Sequence, residues 1–448
     1  LSKFNLFLSI KSFFSSDFLL KSTIISFERN DIKDITKITN IFLPRILNKR
    51  LKKIFEKGTL EGELVLPFKK DGNIDQDYRF VGKVSDATIK ITKEFAIKEF
   101  TTEIIHGVGA SNNGIRAIVE KGKFYNFELA GSTIDLYREE DLTKIKSTIS
   151  TKGNFTSDQI KKIELLSGKS FQWIKNDING TIDLKTKINL SFNKKFKIQD
   201  LSYETEGNVE SFSIKTKKNQ QVENFIPSLN SNIDFKNTNI KFKKNKSNQI
   251  LKLKGMIKLN NKYENFDFIG NYDANKKNFE ILGNINLTDT LVNISNLNYK
   301  KEIGISSSLS FNINFIPSNN YHVKNLQFKS DKSKIHLNKI KFNNKFEILD
   351  LEKAEIKTFL EGKKNNDFIV NKKAKILISG DIFDAQPLLK SLYKTKDKKT
   401  FGKNFSSELE IKLNKIFTGT EDTISDFSMM AKITKGSYNK LNLKGNFS

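Results

Sequence analysis

The side chains that most often perform chemistry are scarce in this chain of 448 residues. It contains no cysteine, which excludes thiolate nucleophiles, disulfide bonds and cysteine metal sites. Of its three histidines, His322 and His336 lie in strand-like runs without an acidic partner at metal-ligand spacing, and His106 stands beside a glycine turn. The carboxylates do not single out a catalytic pair, and no phosphate-binding loop or nucleophile elbow is present. We therefore expect no catalytic residue, no metal and no cofactor, and we predict that the protein is not an enzyme.

The formal net charge of +26 raises the question of nucleic-acid binding. Almost all of the basic residues are lysines, however, and they alternate with apolar residues along the chain instead of forming one block. Arginine is the residue suited to bidentate contacts with phosphate and guanine, whereas lysine is strongly hydrated and solubilising. The pattern predicts solvated strand faces with a weak attraction to anionic membrane surfaces, and no nucleic-acid partner.

The side chains best placed to bind a ligand are apolar residues at alternate positions, because each buried CH₂ contributes ~0.8 kcal/mol. In the clearest run, from Ile182 to Phe192, apolar side chains alternate with charged and polar ones. A second run extends from Leu309 to Phe315. We predict that these runs line an apolar binding surface, at Ile182, Leu184, Ile188, Leu190, Phe192, Phe311, Ile313 and Phe315. For each of these residues a place in a packed core is the alternative interpretation.

The same period of two extends over most of the chain and predicts many antiparallel strands of roughly 8 to 12 residues, separated by Asn-rich and Lys-rich turns. Three stretches have helical spacing instead. The first is an amphipathic segment over residues 31–57 that Gly58 would end. The second follows a possible capping box at Thr156–Gln159. The third, over residues 384–393, is capped by Asp384, and Leu388, Leu389 and Leu392 form its predicted buried side. No segment reaches the ~18 uninterrupted apolar residues that a membrane-spanning helix requires.

By pattern the chain divides into four regions. Residues 1–57 hold N-terminal strands and the amphipathic helix, and residues 58–172 form a first β region that ends in a short helix. Residues 173–380 form an extended antiparallel β array, and residues 381–448 hold a short helix and further strands. So many one-faced strands must hide their apolar side in separate sandwiches, a closed barrel or one long sheet curled into a groove. The missing linkers favour a mostly β groove with a few short helices, although a packed core stays an equal alternative on physical grounds.

One segment, from Ser379 to Leu392, resembles a motif of the AsmA-like, YhdP-type envelope proteins of Gram-negative bacteria. In that family a strand ends in a Gly-Asp turn, and Asp-Ala-Arg-Pro-Leu-Leu and a short helix follow. The matching residues in this chain are Gly380, Asp381, Asp384, Pro387, Leu388 and Leu389. Gln386 stands where the family pattern has arginine. The strand pattern after Gly58 and around Tyr78–Ile91 is similar to the start of that family's central region.

The resemblance implies a fragment of a bridge-like lipid transfer protein, with a membrane anchor upstream of Leu1 and more groove beyond Ser448. It also implies a periplasmic location, anchored to the inner membrane, and a non-enzymatic role in outer membrane biogenesis. The expected partners are phospholipid acyl chains and the membranes at the ends of the full-length protein. The expected function is phospholipid transport between the inner and outer membranes. The alternative is a structural periplasmic β array, an envelope scaffold or assembly factor with a packed core.

Overall fold

The computed structural model describes residues 3–8, 20–34, 54–75, 77–91, 95–107, 114–159, 161, 178–195, 197–215, 220–227, 229–245, 247–275, 277–315, 321–343, 348–394, 406–419, 422–435 and 437–447. These residues are mostly β, with a long antiparallel sheet and short helices, as the sequence predicts. They belong to two compact units. The first unit comprises Leu1–Phe212 with Ile240–Lys246, and the second comprises Ser213–Asn239 with Ser247–Ser448.

The strands of the first part of the chain pair mainly with their neighbours in sequence. They are β1 (Lys3–Leu8), β2 (Leu20–Asp31), β3 (Phe55–Pro67), β4 (Arg79–Lys90), β5 (Ala96–His106), β6 (Gly114–Phe124), β7 (Phe127–Glu128), β8 (Thr133–Glu139), β9 (Leu142–Thr156), β10 (Ile178–Asn193) and β11 (Ile198–Lys215). Every pair from β1 to β10 is antiparallel, and β7 is a short addition between β6 and β9. In this meander, residues that are paired on neighbouring strands direct their side chains to the same side of the sheet.

The later strands continue the meander with one insertion and one parallel pair. They are β12 (Asn232–Lys244), β13 (Asn248–Lys258), β14 (Tyr263–Asp273), β15 (Asn278–Asn286), β16 (Val292–Ile294), β17 (Tyr299–Lys301), β18 (Ser307–Phe315), β19 (Tyr321–Ser330), β20 (Ser333–Phe342), β21 (Ile348–Leu360), β22 (Lys363–Lys372), β23 (Ile376–Asp384), β24 (Ser407–Phe417), β25 (Thr423–Thr434) and β26 (Ser437–Phe447). The hairpin β16–β17 forms its own two-stranded sheet, so β15 pairs directly with β18.

Among the described residues, two helices and a 3₁₀ turn have defined bounds: α1 (Gln220–Phe225), α2 (Gln386–Lys394) and Ser295–Leu297. Residues 32–34 and 157–159 are also helical. Helix α2 lies in the connection between β23 and β24, which run parallel and therefore need a crossover connection. The backbone amide of Gln386 donates to Asp384 Oδ1 at 3.1 Å, which confirms the predicted cap. Leu389 packs into the core beneath the helix, but Leu388 is 46% exposed, so its predicted place on the buried side is wrong.

The other two predicted helices lie largely outside the described residues. Only residues 32–34 and 54 of the amphipathic segment are described as helical, and Gly58 lies inside β3 instead of ending a helix. Its φ of +138° and its close approach to Ala87 suit glycine at an irregularity in the β3–β4 pairing. The capping box is confirmed, because Thr156 N donates to Gln159 Oε1 at 2.9 Å and Gln159 N lies 3.5 Å from Thr156 Oγ1.

Two of the three predicted region limits fall within strands, and the limit between residues 172 and 173 lies outside the described residues. The limit at residues 57 and 58 falls within β3, and the limit at residues 380 and 381 falls within β23. Gly380 and Asp381 therefore continue a strand instead of forming the Gly-Asp turn of the family pattern. The register of β22 and β23 shifts at this point, between the partners of Asp367 and Phe368. The extra residue forms a β-bulge, and the strand continues to Asp384.

Candidate functional site

In the first unit, one row of largely apolar side chains crosses six strands in register. Successive members are direct partners in the β4–β5, β5–β6, β6–β8, β8–β9 and β9–β10 pairs. We name this row strip 1, and it consists of Phe80, His106, Ile115, Leu136, Ile145 and Leu190. Direct cross-strand partners lie ~4.5–5.5 Å apart, so the row forms one continuous surface.

The side chains of strip 1 are partly exposed to solvent, whereas side chains on the same face of the sheet are buried a few residues further along β4 and β6. Ile115 and Leu136 are 37% and 36% exposed, and the remaining members are half-buried. On the same face, Val84 and Val119 are fully buried in a core cluster that Ile32 helps to cover. The face therefore combines a packed core at one place with an accessible apolar strip at another.

The second unit has a similar row, which we name strip 2. It crosses β13, β14, β15, β18, β19 and β20 in register. Its side chains are all half-buried, and they are Leu253, Phe268, Phe311, Leu326 and Leu337. The β15 position in this row is Gly283, and a Cβ atom there would overlap the ring of Phe311. Phe311 thus covers the glycine, and its ring centroid lies 5.9 Å from that of Phe268.

A neighbouring row lies two residues from strip 2 along each strand, and it is sealed at some positions only. Phe266, Phe328 and Ile335 in this row are buried, whereas Ile285 and Leu309 between them are half-buried. The ring of Phe328 meets Tyr299 and Phe225, with centroid distances of 6.0 and 6.1 Å. The side chains that cover Phe328 thus come from the β16–β17 hairpin and from α1.

The structure distributes the predicted lining residues over both units. Ile182, Leu184, Ile188, Leu190 and Phe192 lie on the strip 1 face of β10, and all are half-buried. Leu190 alone among them belongs to strip 1 itself. Phe311 and Ile313 lie on β18 and are half-buried, and Phe315 is paired with Phe279, although its side chain lies outside the described part of the chain. The structure thus brings together five of the predicted residues in one unit and two in the other.

Sequence reasoning missed most of the two strips. Ile115, Leu136 and Ile145 come from shorter or irregular runs whose alternation is weak, and Phe80 follows a loop. Strip 2 includes Leu253 and Phe268, which lie on neighbouring strands whose sequences do not show that they belong to one surface. The missing signal was the register, because only cross-strand pairing shows which residues of different strands share a row.

The motif region around α2 forms a buried polar cluster. Asp384 is buried, and Asn298 Nδ2 donates to its Oδ2 at 2.8 Å. Asp381 lies on the exposed side, where it accepts from Lys364 Nζ at 2.6 Å and Asn414 Nδ2 at 3.2 Å. The hydrogen bond from Lys364 holds the pKa of Asp381 below its ordinary value. These contacts position α2 and the neighbouring strands and show no arrangement for chemistry.

The opposite faces of the strands carry charged side chains that pair across the sheet. Arg116 and Asp135 are direct cross-strand partners with a 2.6 Å ion pair. Glu410 accepts from Lys375 and, at 2.7 Å, from Lys412, and these hydrogen bonds lower the pKa of Glu410 to about 2. The basic partners in these pairs are exposed, whereas the Glu410 side chain is 13% exposed, and solvent screening keeps the contribution of such surface pairs to stability small. They keep the polar face hydrated and leave the apolar strips as the distinctive surfaces.

Within the described ranges, no group of three histidine or acidic side chains is arranged to hold a metal ion. No helix among these residues has the length and apolar character needed to cross a bilayer. Comparisons with protein-family models, curated proteins and solved structures find no match to this chain.

Proposed function

We propose that this chain is a non-enzymatic lipid-binding protein that shields acyl chains along its apolar strips and helps to move phospholipid between the inner and outer membranes. The observation that carries the proposal is the continuous register of strips 1 and 2 combined with their partial exposure. A single exposed apolar side chain is ordinary, but an in-register row across six strands is a contiguous apolar surface.

The dimensions of strip 2 suit an acyl chain. Its residues extend across six strands, and neighbouring strands are ~4.8 Å apart, so the row is roughly 24 Å long. One leaflet of a bilayer contributes about half of a ~30 Å hydrocarbon core. One extended acyl chain therefore fits along the row, with each shielded CH₂ contributing ~0.8 kcal/mol.

Transport along such a surface needs no catalytic group. The strips consist of similar aliphatic and aromatic side chains, so neighbouring positions bind a methylene with similar free energy. A lipid can then slide without a large barrier, while its head group stays with the polar strand ends and water. We further propose that each apolar face curls into a groove, that the protein works in the periplasm, and that membranes are its partners.

The test is native mass spectrometry with lipid extraction on the chain purified from a bacterial periplasm. We expect bound phospholipid in the wild type and its loss in Leu190→Glu, which places a charge in strip 1. Asn189→Glu is the matched control, because Asn189 is the exposed neighbour on the opposite face of β10. This variant should keep its lipid.

A structural β array is the competing function, and the buried clusters around Val84 and Phe368 favour it. It predicts a folded wild-type protein without lipid, and this result would refute the lipid proposal. It also predicts that Leu190→Glu unfolds the chain, whereas a lipid-binding strip predicts a folded variant that has lost its ligand.

A further inference from the structure

Residues 288–306, which we name the flap, form an insertion between β15 and β18. The meander would be complete without the flap, because β15 and β18 pair directly. The flap contains the hairpin β16–β17 and the 3₁₀ turn Ser295–Leu297. Its inward side chains Val292 and Tyr299 are buried, and Leu297 packs against the core cluster that includes Phe368.

A buried lysine holds one side of the flap. Lys301 is 1% exposed, and its ammonium donates to the carbonyl oxygens of Leu287, Thr288 at 2.9 Å and Ile305 at 3.4 Å. Removal from water lowers the pKa of Lys301, an effect that the negative charge of Glu264 opposes. Burial of an ammonium is tolerated where such hydrogen bonds replace water, so these three carbonyls fix the start and the end of the flap.

Two further polar contacts hold the flap against the strands. The buried carboxylate of Glu264 on β14 accepts from the backbone N–H of Asp289 at 2.7 Å and from the hydroxyl of Thr290. On the other side, Asn366 Nδ2 on β22 donates to the carbonyl oxygen of Leu297 at 2.7 Å. The flap is therefore anchored to two distant strands of the second unit by groups that are themselves buried.

We infer that the flap is a fixed wall that seals one side of the apolar face and confines a bound acyl chain to strip 2. This inference rests on the proposed lipid-binding function. Tyr299 of the flap covers Phe328, which is one register step from Leu326 of strip 2. Phe328 is therefore inaccessible to a ligand, and the half-buried side chain of Leu326 in strip 2 is the first beside it that an acyl chain can reach.

The experiment uses a phospholipid with a photoreactive diazirine in its acyl chain, bound to the whole chain and activated by light. Labelled residues are then located by mass spectrometry. We expect labels on Phe268, Phe311 and Leu326, and none on Phe266 or Phe328. Labels on both rows alike would overturn the wall and leave lipid binding intact, whereas a chain without any label would refute the proposed function itself.

A pair of variants tests the anchor. Lys301→Met removes the buried donor, and we expect labelling of Phe328 to rise by about tenfold, since the loss of a hydrogen bond to a charged group has an effect of this order. Lys300→Met is the matched control, because Lys300 is exposed and its ammonium forms a 2.6 Å ion pair with Glu302, so labelling of Phe328 should not change. Asn366→Ala removes the hydrogen bond that holds the other side of the flap at Leu297, and it provides a second test if Lys301→Met does not fold. Unchanged labelling in a folded anchor variant would contradict the inference.

Discussion

The sharpest prediction compares two phenylalanines that the sequence treats alike. Phe328 is 1% exposed and packs between Tyr299 and Phe225, whereas Phe311 is half-buried in strip 2. Truncation of a fully buried phenylalanine to alanine costs ~3–5 kcal/mol, through lost transfer free energy and an unfilled cavity. For Phe311, roughly half of that value is expected, since part of its ring is already in contact with water.

The assay is the melting temperature of the second unit in the intact chain. For a unit of this size, 1 kcal/mol corresponds to ~2–4 °C. Phe328→Ala should lower the melting temperature by roughly 6–20 °C and Phe311→Ala by roughly 3–10 °C. Lipid retention should show the opposite order, with the larger loss in Phe311→Ala. If Phe311→Ala were as destabilising as Phe328→Ala, strip 2 would be an ordinary packed core and the reasoning would be refuted.

Three other predictions concern the core, the glycine contact and pH. Val84→Glu should unfold the first unit and Ile115→Glu should leave it folded, as circular dichroism would show, because only Val84 is sealed. Gly283→Ala should destabilise the wild type more than it destabilises Phe311→Ala, and additive changes in melting temperature would contradict their contact. Because the pKa of Glu410 is lowered to about 2 from 4.5, its contribution to stability is complete above pH 4.5 and is lost as pH falls towards 2. Glu410→Gln should therefore make the free energy of unfolding less dependent on pH between pH 4.5 and about 2. An unchanged dependence on pH would show that the ion pairs of Glu410 do not contribute to stability.

The alternation of apolar and polar residues was sufficient to predict the β architecture. In β10, the residues Ile182 to Phe192 form the strand that their period predicts, with the apolar positions on one face. Local chemistry also gave the capping box at Thr156 and the cap at Asp384, because these depend on neighbours within a few residues. Both kinds of prediction succeed because they depend on residues that are close together in the sequence.

Other features needed contacts that no local pattern encodes. The sequence predicted antiparallel strands throughout, but β23 and β24 are parallel because α2 carries the chain back to the same end. Leu388 fitted the apolar side of its helix by spacing, yet only Leu389 meets the core. The spacing of apolar residues predicts which side of a helix faces the core, but it does not predict how many residues on that side the core contacts.

By itself, the sequence determined the mostly β character of the described chain and the face of each strand on which apolar residues lie, because a period of two places alternate side chains on opposite sides. Only the tertiary structure decided which parts of that face are sealed. Phe328 and Phe311 stand in similar alternating runs, and their difference arises from the flap and α1, which both cover Phe328. Asn298 links the flap to Asp384 across 86 residues of sequence. Burial depends on such distant contacts and on strand register, and neither is a property of a local pattern.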